Sequence, residues 1–208
     1  MQPNKRNTII WRREDMTPTQ FHHHWSGPHA DIARHLPDLV WYIQNHVMRP
    51  LHLSDGMGPA PEGIAEIAYG VTEGILTKID NWDRVAELRE DEGRFLSSRL
   101  GCWSLWQPDS PAPSLRRVVC YVNDVRPEGL DAALEAIAED HACHAEWTVG
   151  KIAAPQTGEE GRIPDAFVFI ELPLSGDPEA AIAPLIETGV PMAAFLTSTE
   201  AKRVPLDP

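Results

Sequence analysis

QPDSPAPSLRR, Gln107 to Arg117, is the stretch on which the reading of the fold turns. Its proline and serine content marks a linker. On the far side, Arg116–Val122 reads as a strand, Glu128–Asp140 as an Ala/Leu helix and Ala145–Ala154 as a strand. A loop, PQTGEEGRIPD, leads to a strand over Ala166–Leu172, a helix over Pro178–Thr188 and a last strand over Pro191–Thr199. The near side runs in the same order. Thr8–Trp11 is β-rich, and Thr17-Pro18-Thr19-Gln20 has a Thr N-cap, Pro at the first helical position and Gln at the third, a capping box. Gly27-Pro28 interrupts that helix, and a second helical piece runs to about His35. Strands follow over Asp38–Val47 and Ile64–Val71 with a Gly/Pro loop between, then a helix over Asp83–Leu100 and a strand over Cys102–Trp106.

Each side is therefore β-α-β-β-α-β, which predicts two tandem ferredoxin-like units. The expected domains are 1–108 and 117–208, with 109–116 as linker. A four-stranded antiparallel sheet covered by helices on one face needs a cover for the other, and a second such sheet supplies it. The predicted class is α+β, an α+β barrel closed within the chain or between chains. Closure within the chain is preferred here, and a homodimer is compatible with it.

The composition narrows the partners. The net charge of −13 over 208 residues repels phosphate backbones and argues against nucleic acid. No apolar run approaches the roughly 18 residues of a membrane span, and MQPNKRNTIIWRRED lacks a signal-peptide core. Three cysteines without a CxxC predict reduced thiols and a cytoplasmic protein.

The chemistry-bearing residues concentrate in the first half. Alternation along the strand at 39–47 places Leu39, Trp41, Ile43, Asn45 and Val47 on one face and Val40, Tyr42, Gln44 and His46 on the other. The first set suits the helices, so the second, with its phenol, amide and imidazole, is expected between the sheets, where it could line a pocket. In QFHHHWSGPHA, Gln20 to Ala30, helical spacing puts Phe21, His24, Trp25 and Pro28 on one stripe. His22 and His23 are expected at the surface, because successive helical residues diverge by about 100°. Three adjacent helical histidines cannot converge on one zinc, so no metal site is expected there. The Gly-Pro break leaves the relative placement of His24 and His29 open. Asp140-His141-Ala142-Cys143-His144 reads as a solvated helix terminus, and the helix bearing Glu87, Glu90, Asp91 and Glu92 as a solvated, ion-paired face.

These residues resemble the EthD family of the dimeric α+β barrel superfamily. Phe21, His24, Trp25 and His29 match its Phe-x-x-His-Trp-x-x-x-His helix; Tyr42, Gln44, Asn45 and His46 match its next strand; Glu66 matches the third element, and Asp91, Glu92 and Phe95 the last. The resemblance covers roughly residues 6 to 106. Beyond it only the element order recurs, and the helix GLDAALEAIAED has no histidine. The resemblance implies work on small, often cyclic or aromatic, compounds by acid/base side chains without an organic cofactor. His24, His29 and His46 are then the candidate catalytic groups, and Trp25, Tyr42, Gln44 and Asn45 the candidate substrate contacts. A lyase or isomerase is the leading expectation. A non-catalytic metabolite-binding barrel and a cofactor-free oxygenase acting on an activated phenol are the alternatives.

Overall fold

A computed structural model describes residues 4–105, 113–151 and 162–202. Residues 109–112 of the linker and the ends of the two segments expected as strands at 102–106 and 145–154 lie outside these residues. The strands are β1 (Lys5–Arg12), β2 (Leu39–Leu53), β3 (Gly63–Tyr69), β4 (Leu96–Ser104), β5 (Arg116–Val122), β6 (Cys143–Lys151), β7 (Ala166–Glu171) and β8 (Met192–Lys202). The helices are α1 (Pro18–His24), α2 (Ala30–Ala33), α3 (Ile75–Asp80), α4 (Val85–Phe95), α5 (Pro127–Ala138) and α6 (Pro178–Glu187). A π-helical turn, Trp25–His29, joins α1 to α2.

All eight strands form one closed antiparallel barrel within the chain, in the order β1-β3-β2-β8-β5-β7-β6-β4. The halves meet at two seams. β2 pairs with β8 from Tyr42↔Lys202 to Leu53↔Ala193, and β4 pairs with β6 around Cys102↔Lys151. The helix expected over Asp83–Leu100 ends at Phe95. Leu96 opens β4 because β1 offers a ladder partner there, from Arg12↔Leu96 onward. The short α3 had no signal in the hydrophobic pattern.

Three apolar clusters follow from closure. One fills the barrel, with Ile9, Ile64, Leu100, Val119, Phe167, Phe169 and Phe195. A second lies outside it under α5 and α6. The third lies outside it under α1, α2 and α4, and includes Phe21, Trp25, Tyr42, Ile67 and Phe95. The barrel interior also holds charge. Lys5 Nζ donates to Glu66 at 2.7 Å and pairs with Glu146, and Arg117 Nη1 donates to Glu66 at 2.7 Å. Arg117 Nε lies 2.7 Å from Glu171, and Asn45 and Asn7 donate to Glu66 and Glu146 at 2.7 Å each. Burial pushes the Glu66 carboxyl up, but the charges of Lys5 and then Arg117 overcome it and hold it below its ordinary value.

This network reverses the expected facing of β2. Asn45, beside Glu66, points into the barrel, and Trp41 lies under the Lys5 ammonium in the same interior. Tyr42, Gln44 and His46 face the helices instead. Alternation separates the two sets but does not say which looks inward, and the partners that decide it sit on β3 and β5.

Trp25 fixes the helix layer to the sheet at a glycine. A Cβ on Gly63 would fall 2.3 Å from the Trp25 ring. Gly63→Ala is therefore expected to cost about 1–3 kcal/mol through overpacking. Gly93→Ala, at an exposed position of α4 with open space around it, is expected to add roughly 0.4–1 kcal/mol. Denaturant midpoints of the two variants, moving in opposite directions, check this.

Candidate active site

The capping box forms as read. Gln20 N donates to Thr17 Oγ1 at 3.2 Å, and Thr17 N donates to Gln20 Oε1 at 2.8 Å. Gly27-Pro28 does not break the helix. Proline has no N–H and its ring crowds the carbonyl four residues back, so an α-helix cannot pass through it unstrained. The backbone widens into the π turn, whose i→i+5 pitch absorbs the extra residue. Two carbonyls of the turn find partners on strands: Gln44 Nε2 donates to Trp25 O at 2.8 Å, and Lys202 Nζ to Ser26 O at 2.8 Å.

The turn brings together His24 and His29, five residues apart. His24 Nε2 lies 2.8 Å from Asp91 Oδ1, and His29 Nδ1 lies 2.9 Å from Asp91 Oδ2. One carboxylate on α4 thus holds both rings, and both pack against Phe95. Burial raises the Asp91 carboxyl, but the hydrogen bond and charge of His29, then those of His24, pull it below its ordinary value. An ionised carboxylate only accepts, so each histidine donates through the nitrogen that touches it. His29 Nε2 and His24 Nδ1 are then the nitrogens left to exchange protons.

His29 borders a cavity of about 380 Å³ between the helices and the outer face of β1, β3 and β4. Its walls include Ala33, Leu36, Ile67 and Leu88, and its polar groups include Arg6, Glu92 and Arg99. Behind His29 a recess of about 30 Å³ is lined by Trp25, Tyr42 and Phe95, room for about one water. Tyr42 is buried, and its hydroxyl accepts from Trp25 Nε1 at 3.0 Å and Gln44 Nε2 at 2.7 Å. Burial pushes the phenol far up despite those bonds, first from Gln44 and then from Trp25, so it stays a neutral hydroxyl.

The other sequence candidates part company here. Asn45 belongs to the barrel interior, with Glu66 and with Thr199, whose hydroxyl donates to Asn45 Oδ1 at 3.0 Å. His46 packs on Trp25 and sits 2.8 Å, Nδ1 to Nδ1, from His22, outside the walls of the cavity. His23 is exposed as expected, whereas His22 is half-buried because α1 lies directly over β2. Asp91 and Glu92, read as part of a solvated face, are 2% and 9% exposed. The helix bearing them packs on the π turn, and Arg99 pairs with Glu92. His144, read as part of a helix end, sits on β6, stacks on Phe169 and lies 3.4 Å from Glu146. No group of three or more potential metal ligands occurs among the described residues. No helix there is long and apolar enough to cross a membrane.

Fold and site together define a class: an α+β barrel with a histidine–carboxylate cluster against a cavity in one helix–sheet layer. Residues 13–99 match the EthD domain family. Among solved structures the chain is similar to a candidate monooxygenase from Lactobacillus acidophilus NCFM, at 11% identity and a TM-score of 0.52 over 100% of both chains. It is also similar to an anthrone oxidase-like protein, at 10% identity and a TM-score of 0.53 over 96% of this chain and 92% of that one. A candidate chlorite dismutase gives 10% identity and a TM-score of 0.51 over 94% and 95%. At such identities the likeness concerns the fold alone. No curated protein matches the chain.

The His22–His46 pair makes stability depend on pH. Burial lowers His46 to about 4, with the His22 charge adding to the effect, and burial lowers His22 as well. The unfolded chain takes up a proton near pH 6.5, whereas folded His46 resists it until about pH 4. The stability is whole above pH 6.5 and lost as pH falls toward 4, by roughly 3 kcal/mol at most. His46→Gln is expected to flatten the change in urea midpoint between pH 7 and 4.5.

Proposed function

We propose that the chain is an enzyme that moves a proton on a small cyclic or aromatic compound, with His29 as the acid/base. One observation carries the reading: of His24, His29 and His46, it is His29 that lines the cavity while being held by a buried, ionised carboxylate. The free Nε2 takes a proton from a phenol or from a carbon beside a carbonyl, and Asp91 stabilises the imidazolium formed. The same proton returned at another atom gives an isomerase, and returned to a leaving group, a lyase. His24 holds Asp91 from the other oxygen and so orients the pair. Tyr42, kept neutral by burial, lines the recess and its hydroxyl suits a developing oxyanion. Trp25 and Gln44 position Tyr42, and Asn45 and His46 serve the scaffold.

Two comparisons support a second reading. The neighbours named as a candidate monooxygenase and an anthrone oxidase-like protein suggest that the ionised substrate reacts with dioxygen. The first step, proton removal by His29, is the same. We also read the two halves as ferredoxin-like repeats, divided at 109–116, because each half orders its strands fourth, first, third, second.

A panel of hydroxylated aromatics, cyclic ketones and lactones, assayed with an oxygen electrode alongside, tests the proposal. On the turned-over compound, His29→Ala and Asp91→Asn are each expected to lose roughly 10²–10⁴-fold in kcat, and His46→Gln to stay within a few-fold. A folded His29→Ala protein with undiminished turnover overturns it. Oxygen uptake in step with substrate loss selects the oxygenase reading over the lyase or isomerase.

A further inference from the structure

We infer that the compound held beside His29 is an anion, a small ring compound whose carboxylate is bound by Arg6. This rests on the reading of that cavity as a substrate site. The charges that line the cavity do not balance. Arg99 pairs with Glu92, and Arg89 Nη2 lies 2.5 Å from Asp80 Oδ1. Arg6 lines both the cavity and the recess behind it, and its Nε donates to Thr8 Oγ1 at 3.0 Å. Among the described residues its guanidinium has no carboxylate partner. The neighbouring cations on β1 are engaged elsewhere: Lys5 inside the barrel with Glu66 and Glu146, Arg12 with Glu62 at 2.6 Å.

In a chain with 31 acidic and 18 basic side chains, an arginine left over in a half-enclosed cavity is a mismatch that a ligand can satisfy. A guanidinium offers a planar fork of donors that fits a carboxylate through two parallel bonds, and partial burial strengthens such a pair. The floor leaves room for it. Thr8, two residues along from Arg6, faces Gly101 across the ladder, and Gly101 brings no side chain to the cavity it lines. Ala33, Leu36, Ile67 and Leu88 supply the apolar walls for a ring. About 380 Å³ suits a ring compound of modest size, at the low end of ligand pockets. Arg6, Arg89 and Arg99 against Asp80 and Glu92 leave one positive charge over among the carboxylate and guanidinium groups that line the cavity.

Benzoate and benzamide, alike in shape and unlike in charge, separate charge from shape. Titrated into the intact chain at pH 7.5 and low salt by calorimetry, benzoate is expected to bind at least tenfold more tightly than benzamide. Arg6→Gln is expected to remove the difference, and Arg6→Lys to keep part of it, since the charge remains and the fork is lost. Equal binding of the two probes by the unaltered protein overturns the inference, whether or not the variants fold. So does an unchanged preference in folded Arg6→Gln or Arg6→Lys. Failure here is distinct from failure of the proton-transfer reading. A lost preference with His29-dependent turnover intact removes only the carboxylate. A preference that survives in His29→Ala, with turnover surviving too, removes only the role of His29.

Discussion

Glu66 is ionised in the centre of a closed barrel, and the rest of the arrangement has to accommodate it. It takes Lys5 and Asn45 from its own half and Arg117 from the other. Removing one member of such a buried set typically costs about 3–5 kcal/mol, because its partners stay buried without it. The strands that carry these groups therefore have only one tolerable facing. With Lys5, Glu66 and Arg117 turned inward, the pleat turns Arg6, Ile67 and Val118 outward. The ladder carries the same parity to β2, so Asn45 looks in while Tyr42, Gln44 and His46 look out. The polar side chains that could do chemistry are thus delivered to the layer between sheet and helices. In the barrel interior Lys5, Glu66, Arg117 and Glu146 are engaged with one another and with Asn7 and Asn45.

That layer is ordered by a second constraint, local and covalent in origin. Pro28 cannot sit in an unstrained α-helix, and the π turn that accommodates it rotates His29 onto the side already occupied by His24. In a regular α-helix residues five apart diverge by about 140° and could not share Asp91. The strain is offset by bonds from outside the helix, from Gln44 to Trp25 O and from Lys202 to Ser26 O. Lys202 lies on β8, so the last strand of the second half helps hold the turn that shapes the site of the first.

Much of this was legible in the residues. The order of strands and helices and the barrel follow from period and turn chemistry, and the Thr17 capping box formed residue for residue. His24, His29, Trp25 and Tyr42 stand out in the residue pattern itself. What escaped had physical reasons. The two faces of β2 each carry an aromatic and an amide, so alternation alone could not orient them; the deciding charges lie far away in sequence. Asp91 and Glu92 sit among Arg84, Arg89 and Arg94 in a helix whose composition reads as solvated. Their burial comes from tertiary contacts with the π turn and Arg99, and only the family pattern pointed at them. His22 was assigned to solvent from its angle on the helix, which says nothing of where α1 rests on β2. Arg6 carried no motif; its signal is a missing partner, visible only when the neighbours are in place.

The barrel closes within one chain, and its two outer faces are unlike. Under α5 and α6 the layer is hydrocarbon, built on Val118, Cys120 and Val122 against Leu130, Ile137 and Leu185. A ring assembled from two identical chains must repeat every outer face, so each polar cavity cut into one layer would be cut into the other. Joining the halves covalently lifts that symmetry requirement. One layer can lose packing to make room for a cavity and uncompensated charge, while the other stays solid and keeps the shared sheet rigid beneath both. Connectivity thus permits a barrel whose cavity under α1, α2 and α4 has no symmetry-related twin under α5 and α6.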